Sequence, residues 1–213
     1  MKVYIGQTSS RVLIRRLIGY GFGECVQPEE WPPRRHPWFL DNSAYRAWAN
    51  KEEWNAAPFE YVLGACKAWP PDFVIAPDIV GEGGESLARS IDWALRIPFP
   101  RYLAVQDGMT IEGIRQVLVQ LPHYFDGLFV GGTLPWKIRG AHHWVNLAHK
   151  HGKPCHIGRV GTARRVRWAK RIGADSIDSC LPLWSEDQLQ RFIRALNDTQ
   201  MELGVPQCGA QPI

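Results

Sequence analysis

Three carboxylates stand at the ends of apolar runs: Asp41 in Phe39-Leu40-Asp41-Asn42-Ser43, Asp78 closing Val74-Ile75-Ala76-Pro77-Asp78, and Asp178 in Ser176-Ile177-Asp178-Ser179-Cys180. A carboxylate at the edge of buried structure is costly unless it is hydrogen-bonded or functional. A single such acid can serve as a helix N-cap, and for Asp41 that reading stays open. Three on one rim point to chemistry. Two carboxylates on opposite sides of a ring can cleave a glycosidic bond, one attacking the anomeric carbon while the other transfers a proton. A third can accept hydrogen bonds from the N–H edge of a purine-like base. Gly131-Gly132 follows another apolar run and lets a flat ring approach, because no Cβ intervenes. Tyr45 either stacks on such a ring or faces the core. Asp107, opening Asp107-Gly108-Met109-Thr110, reads as a cap for the helix that follows.

Something must bring these residues to one place. Eight β-type runs are legible: Val3–Gly6, Gly23–Val26, Phe39–Asn42, Phe73–Asp78, Tyr102–Gln106, Leu128–Gly131, Cys155–Gly158 and Ser176–Cys180. Between most of them lie amphipathic stretches of helical period, such as Leu13/Ile14/Leu17/Ile18, Ile114/Val117/Leu118/Leu121 and Leu189/Phe192/Ile193/Leu196. Small polar residues mark helix starts at Ser9-Ser10, Thr110, Thr162 and Ser185, and Lys150-His151-Gly152 and Arg171-Ile172-Gly173 mark helix ends. The prolines between Gln27 and Trp38 forbid a regular helix there. This alternation predicts an α/β chain folded as a compact (β/α)8 TIM barrel, with a doubly wound open sheet as the competing architecture. In a barrel the polar strand ends share the C-terminal rim.

The chain has 213 residues, 45% apolar and 22% charged, which suits one domain over residues 1–197 and a loosely packed tail over 198–213. No run of 18 apolar residues and no signal-peptide core are present, so a cytoplasmic protein with no membrane partner is expected. Cys25, Cys66, Cys155, Cys180 and Cys208 are scattered, odd in number and never spaced as CxxC, which fits reduced thiols and supplies no zinc spacing. A net charge of +4 permits an anionic partner without demanding one. Arg159, Arg164, Arg165, Arg167, Lys170 and Arg171 put six cations in thirteen residues with no acid among them. Arg34-Arg35-His36 sits between Trp31 and Trp38, and Lys137 and Arg139 follow the sixth strand. These are candidate phosphate and base contacts, or a solvated helix face and a Trp/Pro-packed loop. His142, His143, His149, His151 and His156 lack a metal-like partner set and read as structural or exposed. The Gly81–Gly84 run could cradle phosphate or simply turn the chain.

Taken in order from Phe39 to Pro182, these segments resemble the tRNA-guanine transglycosylase superfamily, most closely its small phage-type members that place 7-deazaguanines in DNA. Leu40-Asp41-Asn42-Ser43-Ala44-Tyr45 is similar to that family's Leu-Asp-Ser-Gly-Gly-Phe/Tyr, Val105-Gln106-Asp107-Gly108 to its Ile-Gln-Gln-Gly, and Gly127-Leu128-Phe129-Val130-Gly131 to its Gly-Leu-Ala-Val-Gly. Ile157-Gly158-Arg159-Val160-Gly161 resembles Met-Gly-Val-Gly with one extra residue, and Gly173 to Pro182 resembles Gly-Ile-Asp-Met-Phe-Asp-Cys-Val-Leu-Pro. Pro71 to Asp78 resembles the segment whose second acid reads the purine edge.

The resemblance implies exchange of guanine for a 7-deazaguanine base through a covalent glycosyl-aspartate. Asp178 would be the nucleophile and Asp41 the general acid/base. Asp78, Asn42, Gln106, Ile157 and the backbone from Leu128 to Gly131 would surround the base with Tyr45 stacked on it, and Arg34, Arg35, Lys137, Arg139, Arg159, Arg164, Arg165 and Arg167 would meet nucleic acid. Neither ATP nor a metal or other cofactor is implied. The family's tRNA enzymes carry a Cys-x-Cys-x-x-Cys zinc cluster after the nucleophile. Here the 35 residues after Asp178 hold only Cys180 and Cys208, so DNA is the expected substrate. The same exchange on tRNA, or a non-catalytic nucleic-acid-binding role, are the alternatives. Gly132 stands where bacterial tRNA enzymes have a Glu that accompanies a cationic aminomethyl base, which suits a neutral substituent.

Overall fold

The structure is a computed structural model and describes residues 1–198. The expected tail, 198–213, with Cys208, lies outside the described residues except for Asp198. Eight parallel strands close into a barrel in sequence order: β1 Lys2–Ile5, β2 Gly23–Val26, β3 Trp38–Leu40, β4 Val74–Ile75, β5 Arg101–Val105, β6 Gly127–Val130, β7 Cys155–Ile157 and β8 Ser176–Ser179. Around them run α1 Arg11–Gly19, α2 Ala44–Asn50, α3 Ala56–Ala65, α4 Gly83–Ala94, α5 Ile111–Gln120, α6 Leu134–Lys150, α7 Ala163–Arg171 and α8 Glu186–Asn197. The fold is the (β/α)8 barrel, and the open sheet is excluded by the pairing of β1 with β8.

Local chemistry sets the element ends. Ser10, Thr110, Thr162 and Ser185 each accept a backbone N–H of their helix's first turn. Gly152 and Gly173, at φ 65° and 82°, take the left-handed conformation after α6 and α7. Between β2 and β3 the chain makes only a short 3-10 turn, Pro28–Glu30, in place of a helix. No helix among the described residues is long and apolar enough to cross a membrane.

The strand period of two divides the core into two shells. Outward residues such as Val3, Ile5, Leu40, Leu103, Leu128, Val130, Ile157 and Ile177 pack under the helices. Inward ones form a smaller cluster of Tyr4, Phe39, Phe73, Ile75, Tyr102, Ala104 and Phe129. The lumen is filled with rings: Phe39 stacks on Phe73 at 4.7 Å, Phe73 on Tyr102 at 4.1 Å, and Phe129 on His156 at 5.1 Å between centroids. The Phe129 ring lies so close to Gly158 that a Cβ there would collide with it. The aromatic layer is thus a solid floor beneath the C-terminal rim.

Candidate active site

Asp41, Asp78 and Asp178 come from the ends of β3, β4 and β8 and line one pocket of about 50 Å³ at the C-terminal mouth of the barrel. Asn42, Tyr45, Gln106, Gly131, Gly132 and Arg159 complete its wall, with Ile75 and Phe129 below and Val80 beside them. Asp41 is fixed by the turn that follows it. Ser43 adopts φ 59°, and its N–H donates to Asp41 Oδ1 at 2.7 Å. Burial pushes the Asp41 carboxyl up to about 7; the Ser43 N–H opposes this, while Asp178 and Asp78 add to it.

Asp78 is clamped by two amides. Asn42 Nδ2 donates to its Oδ1 at 2.7 Å, and Gln106 Nε2 donates to its Oδ2. Burial nevertheless holds its carboxyl up at about 6. Both amides are spent in doing this. The other Asn42 N–H goes to Ala76 O and its carbonyl takes the Ala44 N–H, while Gln106 also bonds Ser86 Oγ and the Gly81 N–H. Asn42 and Gln106 therefore line the pocket but act through Asp78, whose carboxyl keeps acceptor capacity beyond these two donors. The Gly81–Gly84 run, a candidate phosphate cradle, in fact orients Gln106 through Gly81.

Asp178 receives two donors. His156 Nε2 lies 2.9 Å from Oδ1, and the Arg159 backbone N–H donates to Oδ2 at 3.1 Å. His156 is fully buried, and its burial lowers its basicity, although Asp178 pulls the other way. A neutral ring with its proton on Nε2 donates to Asp178 and accepts the Ser176 hydroxyl at Nδ1, 2.8 Å away. The chain Ser176–His156–Asp178 thus orients the carboxylate, with lone pairs left for bonding to carbon. Sequence reasoning missed His156. The strand period puts Ser176 and Asp178 on one face of β8, but only the β7–β8 register, which no sequence period carries, sets His156 opposite Ser176.

Other expectations need correction. Of the Leu128–Gly131 backbone expected to hold the base, Phe129 and Gly131 reach the pocket wall, while the side chains of Leu128 and Ile157 pack in the helix-covered shell and the rings that fill the lumen from their strands are Phe129 and His156. Asp107 caps no helix of its own. Thr110 caps α5, and Asp107 accepts the Thr133 N–H at 2.6 Å and the Thr133 hydroxyl at 2.7 Å, tying the β5 loop to the start of α6. Arg35 is no phosphate contact: it is buried against Glu24 at 2.9 Å and also bonds the carbonyls of Gly23, Ile5 and Gly6. Trp38, expected to flank a stacking loop, is fully buried in β3. Lys137 is buried too, with Nζ 2.5 Å from Gly158 O, and burial lowers its ammonium to about 7. It lines a groove outside the pocket without presenting an exposed charge.

The remaining cations divide. Arg34, Arg139, Arg159 and Arg164 are exposed and Arg165 is half-buried, Arg34 donating to Thr8 O at 2.6 Å. Arg167 pairs with Asp198 at 2.8 Å and is occupied with structure. Arg164, Arg165 and Arg171 line a groove of about 640 Å³ with Leu134, Ile138 and Trp168. Among the described residues no group of three His, Cys, Asp or Glu side chains could hold a metal.

No family model and no curated protein matches this chain. The reading of the site rests on its own geometry. A carboxylate held by two donors, a second carboxyl titrating near neutrality, a third pinned by amides and an exposed aromatic at the rim can bind a planar heterocycle and move one proton while a carbon–oxygen bond is made and broken.

Proposed function

We propose that this protein exchanges guanine in DNA for a 7-deazaguanine base through a covalent glycosyl-aspartate, acting in the cytoplasm as the small phage-type transglycosylases do. The observation that carries the reading is the convergence of Asp41, Asp78 and Asp178 on one pocket, each held by a different set of hydrogen-bond donors. An Asp178 oxygen bonds to C1′ of the target nucleotide as the C1′–N9 bond breaks, and the electron pair leaves with guanine N9. Asp41, protonated about half the time at neutral pH, gives N9 its proton. The incoming base attacks C1′ from the side guanine left, Asp178 departs as carboxylate, and the proton of the incoming N9–H returns to Asp41. Two inversions give net retention. Asp78 accepts from the N–H edge of either base, which suits guanine and 7-deazaguanines alike, and Tyr45 offers a ring for stacking.

A nucleotide within duplex DNA must leave the stack to reach this pocket, at a cost of a few kcal/mol. Arg159, Arg164, Arg165 and Arg171 line the grooves through which a strand would approach. The test is incubation with guanine-labelled DNA and candidate 7-deazaguanines, with released guanine and nucleoside mass spectrometry as readouts and tRNA in parallel. The expected result is exchange into DNA that Asp178→Asn reduces by about 10³-fold or more, together with loss of a protein–DNA adduct on denaturing gels. Exchange that persists in Asp178→Asn ends the reading.

A further inference from the structure

The guanidinium of Arg159 lies 3.8 Å over the ring of Tyr45. Tyr45 belongs to α2, which follows β3, and Arg159 follows β7. In a closed barrel of eight strands in sequence order, β3 and β7 lie opposite each other, so this contact spans the mouth. Arg159 is held there from two further directions. Its Nη2 donates to Gly132 O at 2.7 Å, and its backbone, at φ 58°, aims its N–H at Asp178. A non-glycine residue in that conformation is uncommon and keeps it only where its surroundings enforce it.

The contact separates two spaces. Inside lies the pocket of about 50 Å³ with the three aspartates, and outside lies a groove of about 590 Å³ lined by Trp48, Lys137 and Arg165 among others. Tyr45, Val80, Gly132 and Arg159 line both, so they form the neck between them. The inner space is narrow while the guanidinium lies over Tyr45, because Arg159 and Tyr45 both stand in its wall. A base stacked on the covered face of Tyr45 and the Arg159 guanidinium cannot occupy the same place.

We infer that Arg159 is a gate: a planar base reaches Tyr45 and the three aspartates only when a phosphate attached to it draws the Arg159 guanidinium off the ring into the outer groove. The inference rests on the reading of the pocket as a base site. The chemistry is consistent at both ends of the swing. Over Tyr45 the cation is held by the ring face, one carbonyl and the charge of Asp41 and Asp78, and a phosphate draws it off by competing with these through a charge-assisted pair. In the outer groove Arg159 would join Arg165 on a wall that also carries Glu82 and Asp107, and a phosphate would bridge the two cations. Asp178 stays positioned in either arrangement, because its donor is the Arg159 backbone. The consequence is a binding order. A nucleotide within a strand opens the gate, and the free base enters second, while the covalently held nucleotide still keeps Arg159 withdrawn.

The experiment compares deoxyguanosine, dGMP and a short guanine-containing oligonucleotide, by calorimetry and by the Arg159 side-chain resonances, which the Tyr45 ring current displaces. In the wild-type protein dGMP is expected to bind at least about tenfold more tightly than deoxyguanosine and to abolish the ring-current displacement. In Arg159→Ala that preference falls to about twofold or less because deoxyguanosine gains affinity. Tyr45→Leu, which removes the ring while leaving the cation, is expected to release the Arg159 resonances without any ligand. The gate is overturned if deoxyguanosine binds wild type and Arg159→Ala equally, if Arg159 stays stacked while dGMP is bound, or if neither ligand enters Arg159→Ala. Transglycosylation is judged separately. If gating is observed but wild-type protein exchanges no base, the gate stands and the proposed reaction falls.

Discussion

Asp41 joins local structure to chemistry most directly, because the burial that makes it useful also makes it unfavourable. Its carboxyl is raised from 3.8 to about 7, chiefly by burial. Between these values the folded protein holds a proton that the unfolded chain has released. The associated stability is therefore fully present below about pH 4 and is lost as pH rises through 7. Asp41→Asn keeps an oxygen for the Ser43 N–H and removes the ionisation. At 1.36 kcal/mol per pK unit the shift sets a ceiling of about 4 kcal/mol, which partial solvent contact reduces to about 1–3 kcal/mol. Urea unfolding should show Asp41→Asn more stable than wild type by that amount at pH 8 and equal to it at pH 4. A gap that does not change with pH would mean that Asp41 is not desolvated. Under the proposed exchange the same carboxyl predicts a bell-shaped pH profile centred near 7, since Asp41 would give a proton in one half-reaction and take it in the other.

At the scale of elements, the barrel replaces one outer helix with a loop nailed down by charge. Glu24, fully buried on β2, receives the Arg34 N–H at 2.5 Å, the Arg35 N–H at 3.2 Å and Arg35 Nη1 at 2.9 Å. Arg35 spends its other donors on barrel carbonyls, so the ion pair substitutes for the apolar face a helix would have supplied. Arg35→Met should cost about 3–5 kcal/mol in unfolding free energy, because it leaves Glu24 charged, buried and unpaired. Adding Glu24→Gln should recover a large part of that loss; no recovery would place the cost in packing. This loop also marks where the sequence stops being legible. Strand order, helix caps at Ser10, Thr110, Thr162 and Ser185, and the irregular second crossover follow from periods and from short-range hydrogen bonding, which neighbours in sequence reveal. Burial of Arg35 depends on a partner eleven residues away across a strand. Asp107 looked like a cap because its own turn precedes a helix, yet its partner Thr133 is 26 residues on. The three acids were legible as strand ends, whereas His156 was not, because its role exists only in the register between β7 and β8.

Across the whole molecule, the basic run that looked uniform in sequence divides into two environments. Arg167 pairs with Asp198, and Lys170 Nζ donates to the carbonyls of Leu196 and Asp198, so these two fasten the end of α8 to α7. Arg164, Arg165 and Arg171 instead face a groove with Trp168, Leu134 and Ile138, and this groove shares Leu134 and Arg165 with the one outside the gate. A strand entering the active site would thus find a continuous path of cations over an apolar floor. If all three arginines neutralise phosphates, replacing them with alanine should flatten the slope of log K against log salt by about 2–3 units for duplex DNA. Arg167→Ala should leave that slope unchanged and lower the unfolding midpoint, since its partner is a carboxylate of the same chain. Fluorescence anisotropy of a labelled duplex at several salt concentrations measures both slopes. Equal slopes in the wild type and the triple variant would move the polynucleotide path to another face of the barrel, while leaving the chemistry assigned to Asp41 and Asp178 to its own test.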